Sequence, residues 1–147
     1  MRTLLLRIVF AVYLVAMGFL VWLPNPDAVQ YTGVVAVVAR WFEPLGLPFE
    51  PTYIVLEILA NVVLFVPFGL LIALLVPTRW WWLVVVGLIA IAAAIELGQA
   101  LFLPGRVASL DDVIANSTGG VVGVAIAAII RGVRWAIRRA RRSEPQT

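Results

Sequence analysis

Long apolar runs, separated by short breaks rich in Pro, Gly and Arg, organise this chain. A hydrocarbon core about 30 Å thick needs roughly 20 apolar residues in a helix. Four runs reach that length: about 4–23, ending at Pro24-Asn25-Pro26-Asp27; about 53–76, ending at Pro77; about 80–103, ending at Pro104-Gly105; and about 110–130. Each predicts a transmembrane helix. The 24–52 link carries a weaker apolar stretch, Val34 to Phe42, with Pro44, Pro48 and Pro51 behind it. That stretch is too short to span, and it predicts a short interfacial helix within about 29–43; a re-entrant segment is the alternative. The expected fold is all-α: a polytopic membrane helix bundle of four transmembrane helices plus a short interfacial helix in the first outer link. It forms one membrane domain over 1–147, with a basic tail at 131–147.

Composition agrees with that pattern. Of 147 residues, 63% are hydrophobic and 13% charged, against about 25% charged in soluble domains. The first run is not read as a signal peptide, because it is long and no small-x-small cleavage site follows it. All eleven basic residues are Arg. Arg2 and Arg7 flank the first run, and Arg131, Arg134, Arg138, Arg139, Arg141 and Arg142 follow the last. The positive-inside rule then puts both termini in the cytoplasm of a bacterial plasma membrane. Trp80, Trp81 and Trp82 fall where an aromatic belt is expected. With no Cys and no His, disulfides, thiolate metal sites and the usual neutral-pH proton shuttle are excluded. No metal or cofactor is expected, unless carboxylates hold Mg²⁺.

The orientation sorts the polar residues by depth. Glu57 and Asn61, spaced i, i+4, share a face in the outer half of the second run. Glu96 and Gln99, spaced i, i+3, share a face in the outer half of the third. Asp111, Asp112 and Asn116 open the fourth run, and Arg106 sits in the tight turn before it. Ionisable groups at membrane depth cost roughly 2.5–3.5 kcal/mol each on insertion scales. Convergence of the three polar faces on one water-accessible cavity is therefore the cheapest arrangement. Structural readings stand beside this one. Ser109-x-x-Asp112 matches a helix start with acids near the positive N-terminus. Asn116 and Gln99 can act as interhelical glue. Arg106 can pair with Asp111 or Asp112, and Glu57 can be a solvated end residue. Glu96 is the hardest to explain that way.

Gly119, Gly120 and Gly123 include a GxxxG spacing, read first as packing within the bundle and second as a homodimer contact. Pro67 interrupts the second run. The Arg-rich tail suits anionic lipid rather than nucleic acid, since it lacks interleaved aromatics and directly follows a span.

The ordered set Asn61 to Gly69 (NVVLFVPFG), Glu96-x-x-Gln99, Arg106, Asp111-Asp112-x-x-x-Asn116 and Gly119-Gly120-x-x-Gly123 resembles the VanZ-like family over roughly residues 53–130. That family comprises small bacterial membrane proteins, and its namesake is associated with low-level resistance to the lipoglycopeptide teicoplanin. The resemblance implies that Asn61, Glu96, Gln99, Arg106, Asp112 and Asn116 occupy motif positions, without stating what they do.

Three functions follow as expectations. In the first, the outward cavity binds the head group of a cell-envelope lipid, a lipid-linked precursor or a lipoglycopeptide. Its ligand set is Glu57, Asn61, Glu96, Gln99, Arg106, Asp111, Asp112 and Asn116, with Arg106 as the bidentate partner of phosphate or carboxylate. In the second, Glu96 and Asp112 form a catalytic carboxylate pair acting on a lipid-linked phosphate or glycan. In the third, the chain is a structural or accessory subunit. Binding ranks first. A transporter would need a dimer, and no internal repeat supports one.

Overall fold

The computed structural model describes residues 2–22, 33–103 and 107–143. Five helices and no strand occur among them: α1 (Arg2–Val21), α2 (Gly33–Arg40), α3 (Phe49–Leu75), α4 (Trp81–Phe102) and α5 (Leu110–Ser143). Short 3₁₀ turns at Glu43–Leu45 and Thr78–Trp80 lead into α3 and α4. Four of the helices, α1, α3, α4 and α5, are long and apolar enough to cross a membrane. The short helix expected in the first link is α2, whose Ala36 and Ala39 pack with Tyr53 near the start of α3. The Arg40 guanidinium lies 5.4 Å from the centre of the Phe49 ring. Residues 29–32 of the expected interfacial segment lie outside the described residues.

Two helix ends differ from the sequence expectation. The second span begins at Phe49 rather than about 53, with Pro51 inside its first turn. Proline is tolerated there because first-turn N–H groups have no intrahelical partner to lose. The helix that carries the fourth span continues past 130. α5 runs unbroken to Ser143, so most of the basic tail is helix. At 1.5 Å per residue α5 is about 51 Å long, against a hydrocarbon core of about 30 Å. Its last three to four turns therefore extend past the core, and they carry the arginines.

The centre of the bundle is the pair α3 and α5, which run parallel, with α1 and α4 antiparallel to both. Small residues set their separation. A Cβ on Gly119 would lie 2.2 Å from the Val62 carbonyl oxygen, one on Gly123 2.2 Å from that of Val66, and one on Gly69 2.0 Å from that of Gly120. Only hydrogen fits at these points. The GxxxG face is thus filled by α3 of the same chain, and a homodimer through Gly119 and Gly123 has no room there. Leu88 of α4 lies over Gly120, and Phe65 and Leu88 are the largest fully buried side chains. Phe65 meets Phe68 edge-on at 5.9 Å, and Phe68 stacks on Phe10 of α1 at 5.9 Å.

Two polar contacts tie the helices where α3 departs from regular bonding. Pro67 has no N–H to offer the Val63 carbonyl. At the next carbonyl, Leu64, the Tyr13 hydroxyl of α1 donates a hydrogen bond. At the C-terminus of α3, Arg131 of α5 donates through Nη2 to the carbonyls of Ala73, Leu74 and Val76 at 2.9–3.0 Å. Its guanidinium lies 5.2 Å from the centre of the Trp81 ring, and Trp81 Nε1 donates to Ala73 at 3.1 Å. A cation on the last carbonyls of a helix satisfies groups that have no intrahelical donor and complements the dipole. Arg131 therefore belongs to the bundle rather than to the tail.

Candidate functional site

The opposite end of the bundle gathers the polar residues. The C-terminal ends of α1 and α4 meet the N-terminal parts of α3 and α5 there. Glu96 and Gln99, three positions apart on α4, both point inward and are 6% and 5% exposed. Asn116 of α5 is 4% exposed. Asn61 of α3 and Asp112 of α5 are half-buried.

A chain of hydrogen bonds joins three helices. The Ser109 backbone N–H donates to Glu96 Oε2 at 3.2 Å. The Ser109 hydroxyl accepts from the Asp112 N–H at 3.3 Å, which makes Ser109 the N-cap of α5. Asp112 Oδ1 in turn accepts from Asn61 Nδ2 at 2.7 Å. On the far side Gln99 Nε2 donates to the Val21 carbonyl at 2.8 Å. Val21 ends α1, where a carbonyl has no helical donor.

Between these bonds lies a cavity of about 90 Å³, lined by Asn61, Glu96, Gln99 and Asn116 and walled by Leu20, Val21, Leu64, Phe65 and Ile95. Asn116 Oδ1 is buried and has no hydrogen-bond partner among the described residues, and Ser117 Oγ is in the same state. Unpaired buried polar atoms are uncommon because each costs about 1–3 kcal/mol.

Asn61, Glu96, Gln99 and Asn116 thus come together as the spacing predicts, with Asp112 bonded to their edge. Two expected members stand apart. Asp111 is exposed. Glu57 lies one turn before Asn61 on α3, with its Oε1 3.5 Å from the Tyr53 hydroxyl, and does not line the cavity. Arg106 lies outside the described residues. No group of three or more acidic side chains suited to a metal ion occurs among the described residues. The sequence reading missed the Val21 carbonyl and the apolar wall from α1. The end of an apolar run signals free carbonyls, but nothing in the run names Gln99, 78 residues on, as their donor.

The fold and site define a small polytopic membrane protein with a polar cavity near one end of a four-span bundle. A sequence profile of the VanZ/LLP1 family matches residues 10–131, and the chain belongs to that family. Comparisons with curated proteins and with solved structures found no match.

Proposed function

We propose that the cavity binds the head group of a cell-envelope lipid, of a lipid-linked precursor or of a lipoglycopeptide, while the hydrocarbon tails stay in the bilayer beside the bundle. The observation that carries this reading is the unpartnered, buried Asn116 Oδ1 beside Glu96 and Gln99 in a polar cavity between apolar helices. A bundle held only by helix glue would pair that atom. The cavity is smaller than the roughly 300–1,000 Å³ of ordinary ligand sites. It takes one terminal group of the ligand, and the rest lies beyond the helix ends. Arg106, three positions ahead of Ser109 in the sequence, is the residue of this link suited to a phosphate or carboxylate.

The arginine distribution supports a bacterial plasma membrane with both termini in the cytoplasm. Arg79 and the six arginines from 131 to 142 lie at the end away from the cavity. The cavity then opens in the outer leaflet, where cell-wall precursors and lipoglycopeptides meet. A teicoplanin-related role is the corresponding physiological reading.

The test is native mass spectrometry of the protein extracted from its own membrane, beside Arg106→Ala and Glu96→Gln. A lipid or precursor retained by the wild type and lost from both variants is expected. Bare wild-type protein, or an adduct unchanged in the variants, overturns the proposal.

A further inference from the structure

Of the four helices around the cavity, α1 is held least firmly. Met17 is its one buried residue between positions 3 and 22, whereas α3 and α4 each bury five. Its contacts fall on a single stripe. Phe10 stacks on Phe68, the Tyr13 hydroxyl donates to the Leu64 carbonyl, and Gln99 Nε2 donates to the Val21 carbonyl at 2.8 Å. Trp22 lies over Gly98, where a Cβ would come within 2.8 Å of the indole, and its ring centre is 6.4 Å from that of Phe102. Leu4, Leu5, Ile8, Val12, Val15 and Phe19 face outward. The one glycine of α1 is Gly18, and a Cβ there would meet nothing within 4 Å. No close backbone approach like that of α3 and α5 is built on it.

Leu20 and Val21 at the end of this helix form one wall of the cavity. Resting on the head-group reading above, we infer that α1 is a lateral gate: its Val21 end swings outward in the membrane plane and admits the head group from the bilayer, with Gln99 as the latch. Parting a helix from a soluble bundle exposes apolar surface to water. In a bilayer the acyl chains are as apolar as the side chains they replace, so parting α1 costs its packing and its hydrogen bonds but no hydrophobic penalty. Those bonds are two among the described residues, from Tyr13 and to Val21. Phe10 and Tyr13 anchor the middle of the helix and supply the pivot, while the Gln99 and Trp22 contacts at its end are the ones that part. Segments with few buried contacts open first. Gln99 also lines the cavity, so the residue that holds α1 closed is one that an entering head group meets.

The chain has no cysteine, so engineered thiols report alone. Spin labels on Phe19→Cys and Leu101→Cys, both exposed, would read the distance between the ends of α1 and α4 in full-length protein in nanodiscs. Labels on Val63→Cys and Ile114→Cys, also exposed, would read α3 against α5 as the reference. A shorter and a longer distance are expected for the first pair and one distance for the reference. Gln99→Leu should raise the ratio of longer to shorter by about threefold, the effect of an average interhelical hydrogen bond, and Trp22→Ala should raise it as well. A single distance for the first pair in wild type and both variants overturns the gate. So does a shift in the reference pair, since the whole bundle then loosens. A second measurement keeps Gln99 intact. Trp22→Cys and Phe102→Cys would be bridged by a short dimaleimide in protein stripped of lipid, which is then offered vesicles of phosphatidylethanolamine and phosphatidylglycerol and read by native mass spectrometry. Uptake by the unbridged form alone is expected. Equal uptake by both forms overturns the gate and leaves head-group binding standing. Uptake by neither overturns the head-group reading, while the spin-label distances still decide whether α1 moves.

Discussion

Asn61 of α3 donates a 2.7 Å hydrogen bond to the Asp112 carboxylate of α5, across 51 positions of sequence. The bond joins the two helices at the polar end of the pair, and Arg131 joins them at the other end. Asp112 lies three residues after the capping Ser109, so one residue fixes both the start of α5 and its position against α3. Hydrogen bonds to charged groups contribute about 1.5–3 kcal/mol in water-soluble proteins, and interhelical bonds in membranes average about 0.6. Asp112→Leu is expected to cost about 1–2 kcal/mol, between those limits. In a double-mutant cycle with Asn61→Leu, unfolding free energies in mild detergent should show coupling of about 1 kcal/mol. Strict additivity would refute the role given to this bond.

The glycines of the bundle should divide into two groups. Gly69, Gly119 and Gly123 face backbone at distances that exclude a Cβ, whereas a Cβ on Gly87 meets nothing within 4 Å. Gly119→Ala or Gly123→Ala should destabilise by about 1–3 kcal/mol, as overpacking does. Gly87→Ala should be neutral or stabilise by up to about 1 kcal/mol, because alanine loses less backbone entropy in a helix. Thermal unfolding of the three variants side by side checks this. A Gly123→Ala variant as stable as Gly87→Ala would mean that α3 and α5 do not touch where the structure brings them together.

Hydropathy made the four spans legible, and helical spacing made most of the cavity legible. Glu96 with Gln99 and Asp112 with Asn116 each share a face, and burying a polar face in a bilayer leaves few places to put it. Spacing did not separate Glu57, which shares a face with Asn61 but sits a turn away from the cavity beside Tyr53. It also did not reveal the α1 contribution, because Val21 acts through its carbonyl, and every residue has one. The start of α3 at Phe49 was not legible either, because sequence alone does not show that Pro51 falls in a first turn. Arg131 read as tail because hydropathy marks where an apolar run ends. A helix, in contrast, continues as long as its residues favour it, and arginine does.

Arg131 supplies the next expectation. Its guanidinium serves three carbonyls at the end of α3 and stacks on Trp81. Arg131→Leu leaves those carbonyls without their donor and should cost about 1–3 kcal/mol. Arg131→Lys should recover only part of this, since a compact ammonium lacks the planar face that stacks. Arg134→Leu, exposed on the same helix, should stay within about 0.5 kcal/mol of wild type. Unfolding in a denaturing detergent would compare the three, and equal losses at 131 and 134 would return Arg131 to the solvated tail.

Asn116 should show the opposite sign. Its Oδ1 is buried without a partner, so the folded chain already bears a cost of about 1–3 kcal/mol for that atom. Leucine has nearly the same shape and no polar atom to desolvate. Asn116→Leu is therefore expected to match or exceed the wild type in thermal stability, by up to about 1–2 kcal/mol, while losing the retained ligand. Glu96→Gln keeps an acceptor for the Ser109 N–H and should fold normally, also without ligand. Bound ligand stabilises the native state by mass action, so the comparison requires protein stripped of lipid. A stripped Asn116→Leu variant less stable than stripped wild type would show that Asn116 supports the bundle; a more stable one would show that its polarity serves the guest.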